Sequence, residues 1–176
     1  TMYNHNIKVH YAKFFKGVII MDFIINENIK EQFEYYTNMC ELLCEYKDSS
    51  FAPPADIAKI EEWEKENKFS LPNEYKSWLM LTENADILNQ YAVIQFPESG
   101  DYNGENDVII VGTVLNDEEL LLSRSTNVFF RVTSDGEQEY RDFDDMLADL
   151  SFYLEECAED CIGENWDEVY DERFEN

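Results

Sequence analysis

Nine carboxylates and no base lie between Lys76 and Arg124: Glu83, Asp86, Glu98, Asp101, Glu105, Asp107, Asp117, Glu118 and Glu119. As acid–base machinery they lack an apolar or electropositive pocket that would pull two pKa values apart, and no pair stands out by motif. Collectively they can steer a basic partner, raising association toward roughly 10⁸–10⁹ M⁻¹ s⁻¹ at low salt. Glu98, Asp101, Glu105, Asp107, Asp117, Glu118 and Glu119 are therefore the candidate contacts, expected mostly in loops at strand ends. Tyr91, Phe96 and Tyr102 are candidate anchors for slow dissociation, which charge alone does not provide. Solvated surface acids are the alternative reading.

Other chemistries have less to work with. The only histidines are His5 and His10, so the body of the chain offers no imidazole for a nucleophilic triad or a histidine metal site. Six scattered glycines make no phosphate loop. Cys40 and Cys44, and Cys157 and Cys161, are spaced four apart; a four-thiolate zinc site between two helices is conceivable, but the spacing is not that of a zinc knuckle and three of the four fall on apolar stripes. The polar run from Asp101 to Asp107 lacks the glycine and closing glutamate positions of a helix-loop-helix calcium site, and reads as a polar hairpin loop. Trp63, Trp78 and Trp166 sit on helical stripes, where core packing is the default.

Composition sets the frame. The 176 residues are 44% hydrophobic and 15% aromatic, enough for one domain with a core, and carry a formal net charge of −26. That charge disfavours nucleic acid as a direct partner and favours a basic protein. Residues 1–21 contain Lys8, Lys13 and Lys16 and no carboxylate. Residues 1–20 are accordingly expected to be a non-native or upstream leader, with natural translation starting at Met21 and a single domain over 21–176. Lys16 and Asp22 interrupt Phe14 to Ile25, so it reads neither as a signal peptide nor as a membrane span. The expected compartment is the cytoplasm.

The elements that must position these residues follow from periodicity. Ile29, Phe33, Tyr36, Cys40, Leu43 and Lys47 step by three and four, predicting a helix over 28–47. A linker runs from Asp48 to Pro54. Two short helices follow around Ile57–Asn67 and Pro72–Leu81, the second expected to start with Pro72 at its first helical position. The period then becomes extended, at Tyr91–Phe96, Asp107–Val114, Glu119–Ser123, Thr126–Thr133 and Gln138–Arg141, predicting an antiparallel meander of about five strands with helices against one face. A last long helix is predicted from Asp142 to about Asp160, with Phe143, Met146, Leu147, Leu150, Tyr153, Leu154 and Cys157 as its inward stripe, ended by Gly163. Beyond it Trp166, Val169, Tyr170 and Phe174 predict that the acidic tail, 163–176, folds back onto the domain.

Within this frame, an acidic helix containing Glu61, Glu62 and Trp63, followed by Leu71, Pro72, Glu74, Tyr75, Lys76, Trp78 and Leu79, resembles the SUKH superfamily. This Smi/Knr type groups fungal cell-wall glucan-synthesis regulators with bacterial immunity proteins that neutralise polymorphic toxins. The resemblance covers 57–154. It departs at Glu83-Asn84-Ala85-Asp86, where many members carry an Asn-Gly turn. It implies an α+β fold in which Leu71, Pro72, Glu74, Tyr75 and Trp78 are structural. It also implies a non-enzymatic protein, without cofactor, that binds a toxin's catalytic domain, for instance a nuclease, and blocks it stoichiometrically. A regulatory scaffold of the fungal type and an enzyme using carboxylates alone remain open as alternatives.

Overall fold

The computed structural model describes residues 24–115 and 118–175; residues 1–20, expected to be a leader and including His5 and His10, and the pair Asn116 and Asp117 lie outside them. The first helix, α1 (Glu27–Leu42), begins where Asn26 accepts hydrogen bonds from the Asn28 and Ile29 N–H groups, satisfying donors that a helix start leaves orphaned. The Asn26 N–H in turn donates to Ser77 Oγ at 3.0 Å, tying that start to a later helix. Its buried stripe includes Ile29, Tyr36, Met39 and Cys40. The helix stops at Leu42 rather than at Lys47. The chain must turn there, because the expected linker contains a two-residue edge strand, β1 (Ser50–Phe51), paired with residues 85–86.

Helices α2 (Ile57–Asn67) and α3 (Asn73–Leu79) meet at a tight corner. Lys68 ends α2 in the left-handed region at φ 51°, and the Phe69 N–H returns to the Glu64 carbonyl at 3.1 Å. The Glu64 side chain accepts from the Leu71 N–H at 2.7 Å and pairs with Lys76 at 3.2 Å, bracing the entry to α3. Pro72 is the N-cap of α3 rather than its first helical residue, because its ψ of 143° is extended. Leu71, Tyr75 and Trp78 are buried, Glu74 lies in the first turn of α3, and the Tyr75 hydroxyl donates to the Gln95 carbonyl.

The sheet has seven antiparallel strands in sequence order. After β1 come β2 (Ala85–Ile87), β3 (Ala92–Tyr102), β4 (Glu105–Val114), β5 (Glu118–Ser123), β6 (Phe129–Thr133) and β7 (Gly136–Tyr140). The first two strands were too short to show a period in the sequence. Asp101 to Asp107 is not an open loop: β3 and β4 extend almost to its middle, and only Asn103 and Gly104, at φ 56° and 81°, make the turn. Both central residues have positive φ, which suits an Asn-Gly hairpin turn. The last helices are α4 (Phe143–Ile162), capped by Asp142 and ended at Gly163, and α5 (Trp166–Phe174). As the apolar spacing of the tail predicts, α5 folds back: Tyr170 is buried and Arg173 pairs with Glu41 at 2.8 Å.

Residues from all five helices share one core with one face of the sheet. Trp78 is its centre, with the rings of Phe33, Tyr36 and Phe143 at 5.5, 5.8 and 6.1 Å. The architecture is therefore α+β, with helices packed on an antiparallel sheet. Among the described residues, no helix is long and apolar enough to cross a membrane.

Candidate functional site

The other face of the sheet has a second, smaller cluster made of strand residues alone: Val108, Leu121 and Phe130, with Tyr102, Ile110 and Val132 against them. Strand alternation dictates it. In β5, Leu120 and Leu122 face the helices, so Leu121 faces away. Register then lines up one row across the sheet, Glu98, Ile110, Leu121, Phe130 and Glu139, with an acid at each end and apolar residues between. Gly100 makes room in this surface, since a Cβ there would stand 2.8 Å from Ile110 Cγ1.

Beside Phe130 lies an open groove of about 250 Å³, walled by Tyr102, Val108 and Phe130 and rimmed by Asp107, Glu137 and Glu139. Among the described residues, no lysine or arginine lines it. Tyr102 and Phe130 meet edge to face at 5.6 Å. The Tyr102 hydroxyl donates to Glu137 Oε1 at 2.9 Å, and that bond pushes its pKa up. Three carboxylates beside aromatic walls can hold a cation or a basic side chain, while the Ser123, Ser125 and Thr126 hydroxyls on the same lining can donate or accept.

The tertiary structure divides the acids that the sequence grouped. Glu98, Asp101, Tyr102 and Asp107 belong to the outer end of the β3–β4 hairpin, and Glu105 opens β4. Glu98 and Asp101 are exposed and Asp107 is half-buried. Asp101 also accepts the Gly104 N–H at 2.8 Å, so one of its oxygens serves the turn. Glu118 and Glu119 lie at the opposite end of β4, opposite Val114 and Thr113. Six residues of strand separate Asp107 from Thr113, about 20 Å. Glu118 is on the helix side and paired with Arg131 at 2.5 Å, and Glu83 pairs with Lys59; neither is free for a partner. Glu119 shares the face of Leu121. Asp117 lies outside the described residues.

Two of the three proposed anchors are also committed elsewhere. Tyr91 is buried and stacked on Tyr153 at 3.7 Å, and Phe96 lies under the Lys59 ammonium at 4.0 Å. Only Tyr102 stands on the open face. Glu137 and Glu139, which sequence reasoning missed, come to the site because β7 folds back beside β6. Their signal was the alternation after the Ser134-Asp135 turn: with Tyr140 in the core, period two places Glu139 and Glu137 on the far side.

The cysteines do not gather with other ligands among the described residues into one cluster. All four are free, with Cys40 and Cys157 buried, and burial pushes the Cys40 thiol up. Among the described residues, no three His, Cys, Asp or Glu side chains gather to hold a metal ion. Compared with models of known protein families and with curated proteins, the chain matches none.

Proposed function

We propose that this chain is a non-enzymatic, protein-binding domain of the immunity type, which binds the catalytic domain of a toxin in the cytoplasm and blocks it stoichiometrically. The observation that carries the reading is the open sheet face, where apolar and aromatic residues are rimmed by Glu98, Asp107, Glu119, Glu137 and Glu139. An apolar centre inside a one-signed charged rim is how a surface combines fast, steered encounter with slow release. The sign suits a toxin that acts on nucleic acid, since such an enzyme presents bases where the phosphates sit. The resemblance to SUKH immunity proteins supports the same reading.

The test is co-expression, in a sensitive host, with the toxin domain encoded beside the gene, together with stopped-flow association of the purified pair. The expected result is restored growth, a one-to-one complex, and association that slows with salt. Replacing Glu98, Asp107 and Glu139 together by Lys should slow association at least tenfold at low salt and flatten its salt dependence. Unrescued growth with no complex would overturn the reading, and unchanged rates for the triple variant would remove this face from it.

A further inference from the structure

We propose that the groove beside Phe130 seats one arginine side chain of a basic protein partner, an inference that rests on the protein-binding reading above. Three observations point to a guanidinium. The walls supply an aromatic pair, Tyr102 and Phe130, 5.6 Å apart, and a planar, weakly hydrated guanidinium can stack flat on such rings at a lower desolvation cost than a compact, strongly hydrated ammonium. The rim supplies acceptors in several directions, from Asp107 and Ser125 on one side and Glu137 and Glu139 on the other. Arginine has five donors in a rigid fork to meet them. Glu137 is already oriented by the Tyr102 hydroxyl at 2.9 Å, so one wall is preformed.

The arginine must come from outside. The chain has four, and each is engaged elsewhere. Arg124 donates to Asn67 and Ser99, Arg131 to Glu118, Arg141 to Asp142 and Arg173 to Glu41. Meanwhile Asp107, Glu137 and Glu139 take part in none of the ion pairs among the described residues. Charge complementarity thus selects a basic occupant, and the ring pair selects arginine over lysine.

The test needs no toxin. The full chain, isotopically labelled, is titrated by NMR with acetyl-Gly-Arg-Gly-amide and with its lysine and citrulline counterparts, citrulline being the neutral analogue of arginine. Saturable shifts at Tyr102, Phe130, Glu137 and Glu139 are expected with the arginine peptide, at least fivefold weaker binding with lysine, and none with citrulline. The pair Glu137→Gln and Glu139→Gln should abolish the shifts. Tyr102→Phe, which keeps the ring, should weaken binding less than Tyr102→Leu. Both glutamates are exposed, so these variants keep the fold, and a dispersed spectrum verifies that. Equal response to citrulline or lysine, or shifts spread over other acidic surfaces and surviving the double glutamine variant, would overturn the arginine seat. Toxin rescue without arginine preference removes the seat alone; arginine binding in a chain that rescues no cell removes the immunity reading alone.

Discussion

The two faces of one sheet are built from alternate residues of the same strands, yet they differ in what holds them. Toward the helices, Leu120, Leu122, Phe129 and Tyr140 join residues of all five helices in one continuous core. Away from them, among the described residues, Leu121 and Phe130 pack with neighbouring strand side chains, and exposed Glu98, Glu137 and Glu139 stand around them. The difference teaches that burial on the open face is local and self-supplied. Changes there should alter binding with a modest effect on stability, while changes on the helix side should do the reverse.

The largest expected contrast is between two aromatic truncations. Trp78→Ala removes a fully buried ring touched by three others and should cost about 3–5 kcal/mol in urea unfolding. Phe130→Ala, on the thinner cluster, should cost about 2 kcal/mol, because the open side can relax and admit water. Equal losses would mean that the outer cluster is a true second core.

Alkaline pH should separate the faces next. Burial holds the Tyr36 and Tyr75 hydroxyls well above their ordinary range, and pushes Tyr91 up to about 12 against the opposing pull of Arg131. Unfolded tyrosines release their protons near ~10. The folded state therefore keeps its full advantage below that pH and loses it as pH rises above, because only the unfolded chain can ionise there. Tyrosinate absorbance should rise together with loss of near-ultraviolet circular dichroism. Full ionisation of all tyrosines with the fold intact would contradict the packing of the helix side.

A smaller effect is expected at the seam between α2 and the sheet. Arg124 donates to the Asn67 carbonyl at 3.1 Å and to Ser99 Oγ at 3.0 Å, and its guanidinium lies 5.9 Å from the Trp63 ring. Arg124→Ala should cost about 1–2 kcal/mol and raise amide exchange in α2 and β3 while leaving β7 unchanged. The smallest effect belongs to Gly100→Ala on the open face. There the added methyl would stand 2.8 Å from Ile110 Cγ1 and 3.3 Å from Val108 Cγ2, so these β-branched neighbours must yield and stability should fall by about 1 kcal/mol. A loss of several kcal/mol would show that the open face is as tightly packed as the core.

How much of this was legible can be followed residue by residue. Stripes such as Ile29–Phe33–Tyr36–Cys40 and Phe143–Met146–Leu147–Leu150 announced α1 and α4, because long amphipathic periods repeat the same local instruction over several turns. Strands β1 and β2, of two and three residues, carry no period; pairing in the finished sheet defines them. The acidic run from Glu83 to Glu119 was legible as charge but not as a surface. Sequence proximity joined Asp107 to Glu118 and Glu119, whereas strand length separates them and Arg131, paired with Glu118 through a contact thirteen residues away in sequence, neutralises one.

The sequence by itself determined the α+β class, the inward stripe of each long helix, the strongly acidic character and the packing role of Tyr75 and Trp78. These depend on short-range spacing and on the cost of leaving large apolar side chains in water. Only the tertiary structure decided which acids keep company. Cross-strand register set Glu98 and Glu139 at the two ends of one apolar row, hairpin folding brought Glu137 to Tyr102, and helix packing hid Tyr91 while leaving Tyr102 in reach. The physical reason is that a strand specifies its faces locally, through a period of two, but its neighbours only through pairing with distant segments.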